Sequence, residues 1–110
     1  MKSFTLLNHK EIDIIDQLIE DLSAPGGEDL IRNLQKHRRS VVEEYNALAR
    51  DLEAIKEEDP EFYKLIFWHD IKGRSWSETF NIVYSGLISY DPAHYASKRY
   101  RRYMDKHIRL

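Results

Sequence analysis

Between Gly27 and Pro60 the chain has neither proline nor glycine, and within that stretch Val41, Tyr45, Leu48, Leu52 and Ile55 follow one another at alternating steps of four and three. This spacing puts five apolar side chains on one stripe of a helix. At a rise of about 1.5 Å per residue, a helix from Glu28 to Lys56 is more than about 40 Å long. A rod of that length needs its stripe covered along much of its extent. Either the C-terminal helices fold back on it, or a second copy of the chain covers it, making a homodimer through residues 28–57.

The flanking segments are also helical in pattern. Asn8 followed by Glu11 reads as a capping box, and Ile12, Ile15, Leu18, Ile19 and Leu22 continue at helical spacing, predicting a first helix over residues 9–22. Ser23-Ala24-Pro25-Gly26-Gly27 stops it and reverses the chain. Asp59-Pro60 starts a further helix, with an N-cap carboxylate and proline at the first helical position, and Gly73 ends it. Ser75 and Glu78 form a second capping box that opens a short helix from Trp76 to about Val83. After the loose segment Tyr84–Tyr90, Asp91-Pro92 starts a last helix reaching about His107. No stretch reads as a strand. The expected fold is all-α: an N-terminal helical hairpin with a long second helix, then a C-terminal three-helix bundle of helix-turn-helix type.

At 110 residues there is room for one modest hydrophobic core, so residues 1–110 are read as a single domain, with residues 8–57 as the hairpin and 59–110 as the second part. The charged fraction of 33% against 42% hydrophobic fits a folded, soluble chain. No apolar run approaches a membrane span, and the N-terminus has no signal-peptide core, so a cytoplasmic protein without membrane contact is expected. With no cysteine, disulfides, thiolate catalysis and cysteine zinc sites are excluded.

The formal net charge of -2 conceals a division along the chain. Residues 1–71 hold nine Lys/Arg against sixteen Asp/Glu, and residues 72–110 hold eight against three. A basic working surface on an acidic scaffold is the natural reading, because a phosphate backbone responds to local charge. The last helix concentrates it: Lys98, Arg99, Arg101, Arg102, Lys106 and Arg109, interleaved with Tyr95, Tyr100 and Tyr103. Lysine and arginine neutralise phosphates and arginine pairs with guanine edges, so the candidate DNA-binding residues are Lys98, Arg99, Arg101, Arg102 and Lys106, with His94 and Tyr95 near base edges and Arg74 on phosphate. The bland alternative is a solvated cationic face backed by a buried stripe that includes Tyr95, Tyr103 and Met104.

The run Lys64-Leu65-Ile66-Phe67-Trp68-His69-Asp70-Ile71-Lys72-Gly73-Arg74-Ser75-Trp76-Ser77-Glu78 resembles the pattern L-x-x-R-Y-I-x-G-x-S-W-x-E of small phage regulators of the RinA/ArpU type. The resemblance spans about residues 65–83, with Gly73, Ser75, Trp76 and Glu78 as its specific core. It implies a sigma-factor-like helix-turn-helix preceded by a charged hairpin, and regulation of transcription. Here bulky Phe80 stands where those regulators have a small residue, and the connection 84–90 is longer than their turn.

Other chemistry is poorly served. The five histidines, at 9, 37, 69, 94 and 107, lack HxxxH or HExxH spacing, so no metal site is expected. His69 and Asp70 are adjacent and diverge by about 100° on a helix, which argues against an acid-base pair. Glu57-Glu58-Asp59-Glu61 lacks the alternation and glycine of a calcium loop. No catalytic residue and no cofactor is assigned. Trp68 and Trp76, with Phe62, Phe67 and Phe80, are expected in the core. The rival to DNA binding is a phage or mobile-element protein that binds and inhibits a host protein, such as a nucleic-acid enzyme or guided nuclease, through the acidic hairpin. A third reading is a structural module that only self-assembles through the heptad stripe.

Overall fold

The computed structural model describes residues 4–23 and 25–108; the turn residue Ala24 and the cation Arg109 lie outside them. Among the described residues all regular structure is helical. A 3-10 turn (Phe4–Asn8) leads into α1 (Lys10–Asp21) and α2 (Glu28–Glu58); α3 (Pro60–Leu65) runs on as a π-helical segment, Ile66–Ile71; α4 (Trp76–Val83) and α5 (Pro92–Ile108) follow. No helix among them is long and apolar enough to cross a membrane.

The stripe on α2 is consumed within one chain. Val41 packs with Ile12 and Ile15 of α1. Leu48, Leu52 and Ile55 meet Phe4 and Leu7 of the 3-10 turn and Phe62 and Ile66 of the following helix. The cover therefore runs from the middle of α2 to its C-terminal end, and part of it comes from the N-terminal turn, which no periodicity announces. With α2 as a long rod and α1 alone beside its first half, the molecule measures 59 × 29 × 18 Å. Ile14, Leu18 and Leu30 remain exposed on that projecting arm.

Two expected helix starts differ in detail. Asn8 does not form a capping box with Glu11: its Oδ1 accepts from the Lys10 backbone N–H at 2.9 Å. His9 takes the N-cap position with φ 72°, which the Asn8 turn holds and which the His9 ring secures by an edge contact on Tyr45 at 5.5 Å. The Asp59 side chain makes no cap to α3 either, because it is drawn across to α5. By contrast, both halves of the Ser75/Glu78 box are present: Ser75 Oγ accepts from Glu78 N at 3.1 Å, and a Glu78 carboxylate oxygen accepts from Ser75 N at 3.3 Å. Ser75→Ala is expected to cost about 1 kcal/mol, read as a lower urea midpoint at unchanged slope; an unchanged midpoint would show that the cap is redundant.

The π-helical segment ends α3 in a specific way. Lys72 N bonds to Phe67 O at 2.9 Å, an i→i+5 contact, and Arg74 N reaches Trp68 O at 3.0 Å across Gly73, whose φ of 69° suits glycine. The wide turn brings Ile66 and Asp70 inward together. A second core then joins Leu65 of α3, Phe80 of α4 and Ala96 of α5. Here Phe80 fits because Ala96, fully buried, is the small residue opposite it. Of the aromatic side chains expected in the core, Phe62 and Phe80 are buried, while Phe67, Trp68 and Trp76 are half-buried.

Candidate nucleic-acid interface

Asp91 Oδ1 accepts from His94 N at 3.2 Å, closing the first turn of α5, and Pro92 supplies a preset φ with no N–H to satisfy. From there the inward side of α5 carries Ala96, Tyr100, Tyr103, Met104 and His107, and the outward side carries His94, Lys98, Arg101, Arg102, Asp105 and Lys106. The basic helix thus has both a buried stripe and a cationic face.

The cations divide by partner. Arg99 is half-buried and donates to Glu61 of α3 through Nε at 2.6 Å and Nη2 at 2.9 Å. This bonding holds its guanidinium above its ordinary pKa, against the opposing effect of burial. Lys106 Nζ lies 3.2 Å from Asp59 Oδ2, and His107 Nε2 lies 2.8 Å from the same oxygen. These contacts, His107's first, hold the Asp59 carboxyl below the usual range. Arg74 Nη1 sits 3.7 Å from Glu78. Arg101 bends back to Ser97, at 3.4 Å from its carbonyl and 3.3 Å from its hydroxyl. Among the described residues Lys98, Arg101 and Arg102 are exposed and have no carboxylate within ion-pair distance.

Of the residues singled out from sequence, α5 therefore presents His94, Lys98, Arg101 and Arg102 outward together. Arg99 and Lys106 are spent mainly on fastening α5 to α3 and to the end of α2. Tyr95 is half-buried, edge-on to Phe80 at 5.5 Å and to Tyr84 at 5.1 Å, so its ring anchors the connection from α4. A shallow groove of about 350 Å³ runs between Ser89 and Asp91 on one side and His94, Lys98 and Arg102 on the other. Its shallow, open form and cationic wall suit a phosphate-bearing strand better than a small enclosed ligand.

The Asp59 and Glu61 clamps were not anticipated from sequence. Pairs separated by 38 and 47 residues leave no periodic trace. A third cross-connection is part-buried: Tyr100 donates from its hydroxyl to Asp70 Oδ2 at 2.5 Å. Burial pushes the Asp70 carboxyl up, with Tyr100's hydrogen bond opposing, and burial likewise raises the Tyr100 phenol. His69 turns elsewhere, stacking on Trp76 at 3.6 Å and placing Nδ1 2.9 Å from the Arg74 carbonyl, to which it donates. His69 and Asp70 thus face different partners. Glu58, Asp59 and His107 bring potential metal-ligand atoms within 4.8 Å of one another, but the Lys106 ammonium on Asp59 already supplies the positive charge a metal would.

Because the folded Asp70 carboxyl binds its proton more tightly than in the unfolded chain, it favours folding at low pH. That contribution is lost as pH rises from the ordinary aspartate range, about 3.9, through the raised folded value. Asp70→Asn keeps an acceptor for Tyr100 and removes the titration. Its stability relative to wild type is expected to improve steadily across this window in melts taken at successive pH values; a constant difference would contradict the assignment to Asp70.

Comparison with protein-family models, with curated proteins and with solved structures finds no match to this chain.

Proposed function

We propose that the chain is a DNA-binding transcriptional regulator of phage type, acting in the cytoplasm, which holds duplex DNA against the outer face of α5. The observation that carries this reading is the group Lys98, Arg101 and Arg102, exposed on one helix face without a carboxylate partner in a chain of net charge -2. Elsewhere on α5 cations are matched to acids, at Arg99 with Glu61 and at Lys106 with Asp59. Three cations left unmatched on one face form a local positive field suited to phosphates. The capped α4 leading into α5 provides the supporting helix such a reading needs, and the run around Gly73, Ser75, Trp76 and Glu78 agrees with it. In this arrangement His94 lies at the N-terminal end of the contact helix, Arg74 stays paired with Glu78 and is not counted among the phosphate contacts, and Arg99, Lys106 and Tyr95 hold the helix in place.

The test is fluorescence polarisation of mixed-sequence duplex DNA at 50 and 200 mM salt. Three phosphate contacts give a logarithmic slope of about -2.7, so affinity is expected to fall about fortyfold over that range. No binding at the lower salt would overturn the proposal and direct attention to the acidic arm as a protein-binding surface.

A further inference from the structure

The connection between α4 and α5 is anchored at both ends and apolar at its tip. Tyr84 packs its ring on Phe80 at 5.3 Å and on Tyr95 at 5.1 Å. Leu87 N closes a turn onto Tyr84 O at 2.9 Å, with Gly86 at φ 87° making the reversal. Ser89 and Pro92 are half-buried. Between these anchors Leu87 is 48% exposed, Ile88 96% and Tyr90 108%. Among the described residues no other large apolar side chain is as open as Ile88 and Tyr90, and both lie directly before the N-terminus of α5. Lys98 and Arg102 border the same groove as Ser89 and Asp91. Ile88 and Tyr90 thus alternate along the chain with Ser89 and Asp91, the two residues of this segment that line the cationic groove.

We infer that Ile88 and Tyr90 read thymine in the major groove while the cations of α5 hold the phosphates; this rests on the DNA-binding function proposed above. Charge complementarity brings the α5 face to the backbone, and whichever groove receives the start of α5 also receives the segment immediately before it. The base edges of the major groove are polar except at the C5-methyl of thymine, so that methyl is the group an open isoleucine can cover without leaving a polar atom unpaired. Tyr90 adds a flat apolar surface and a hydroxyl that can bond a base edge or phosphate. The Asp91 carboxylate is turned back onto His94 N, which satisfies it within the helix cap. Phosphate binding by Lys98, Arg101 and Arg102 sets affinity without regard to sequence, and the 87–90 tip supplies the preference.

The test begins with selection of duplexes from a random library by the wild-type chain. Polarisation then compares the selected duplex with a scrambled one, for wild type and for Ile88→Ser/Tyr90→Ser. Both positions are open to solvent, so the variant is expected to melt as wild type does. The expected result is about a tenfold or greater loss of the selected-to-scrambled affinity ratio, with the salt slope on scrambled DNA unchanged. Replacing thymine by uracil in the selected duplex should reproduce that loss for wild type and add nothing for the variant. Selectivity retained by the variant, indifference of wild type to uracil, or a library that binds without enrichment would each overturn the thymine-reading inference while leaving DNA binding standing. A wild-type chain that binds no duplex at all would overturn both.

Discussion

Phe62→Ala is expected to destabilise the protein by about 3–5 kcal/mol, the range for deleting a fully buried aromatic ring. The Phe62 ring is 0% exposed and is the point where three parts of the chain meet. It lies edge-on to Phe4 at 6.4 Å and to Tyr100 at 5.8 Å, and stacks on Tyr103 and His107 at 5.2 Å each. Its loss opens a cavity between the N-terminal turn, α3 and the inward face of α5, and the surrounding rings are rigid enough to refill it poorly. Against a total stability of about 5–15 kcal/mol for a domain of ordinary kind, that is a large share. Urea unfolding with a loss under about 1 kcal/mol would show that the rings close over the gap. Phe62→Leu, which retains most of the volume, should fall well short of the alanine effect.

Lys98→Glu/Arg102→Glu is expected to remove most duplex binding while leaving the fold intact. Each lost phosphate contact lowers the salt slope by about one, so the slope should fall from about -2.7 to about -0.9. Placing carboxylates against the phosphate backbone adds repulsion, and affinity at low salt should drop by about a hundredfold or more, an order-of-magnitude figure for two lost contacts in this salt regime. Neither side chain has an acidic partner to lose, and both are exposed. Arg99→Glu is a poor substitute in this experiment, because it would set a second carboxylate against Glu61 at the α3 contact and disturb the seat of α5. Unchanged binding by the double variant, with helicity preserved, would remove α5 from the interface.

Much of the secondary structure was legible because its causes are local. A proline- and glycine-free stretch bounded the long helix, Gly73 and the Ser75/Glu78 box marked the start of α4, and Asp91-Pro92 marked the start of α5. Each signal acts through hydrogen bonds or dihedral limits within about one helical turn. Asp59 shows where such reasoning stopped. Its place before Pro60 suited a helix cap, yet its carboxylate is engaged by Lys106 and His107, whose interactions outweigh those of neutral backbone donors at the end of α3.

The apolar stripe on α2 and the cationic composition of α5 were properties of the sequence by itself, as was the uneven division of charge between residues 1–71 and 72–110. What covered the stripe, and which cations remained open, only the tertiary structure decided. Periodicity places side chains on a face of their own helix, whereas pairing depends on what another helix brings opposite: Phe4 and Phe62 to the stripe, Glu61 to Arg99, Asp59 to Lys106, Asp70 to Tyr100. Ion pairing and burial act at a few ångströms in space and are indifferent to separation along the chain, so the open set of Lys98, Arg101 and Arg102 emerged only when α5 was packed.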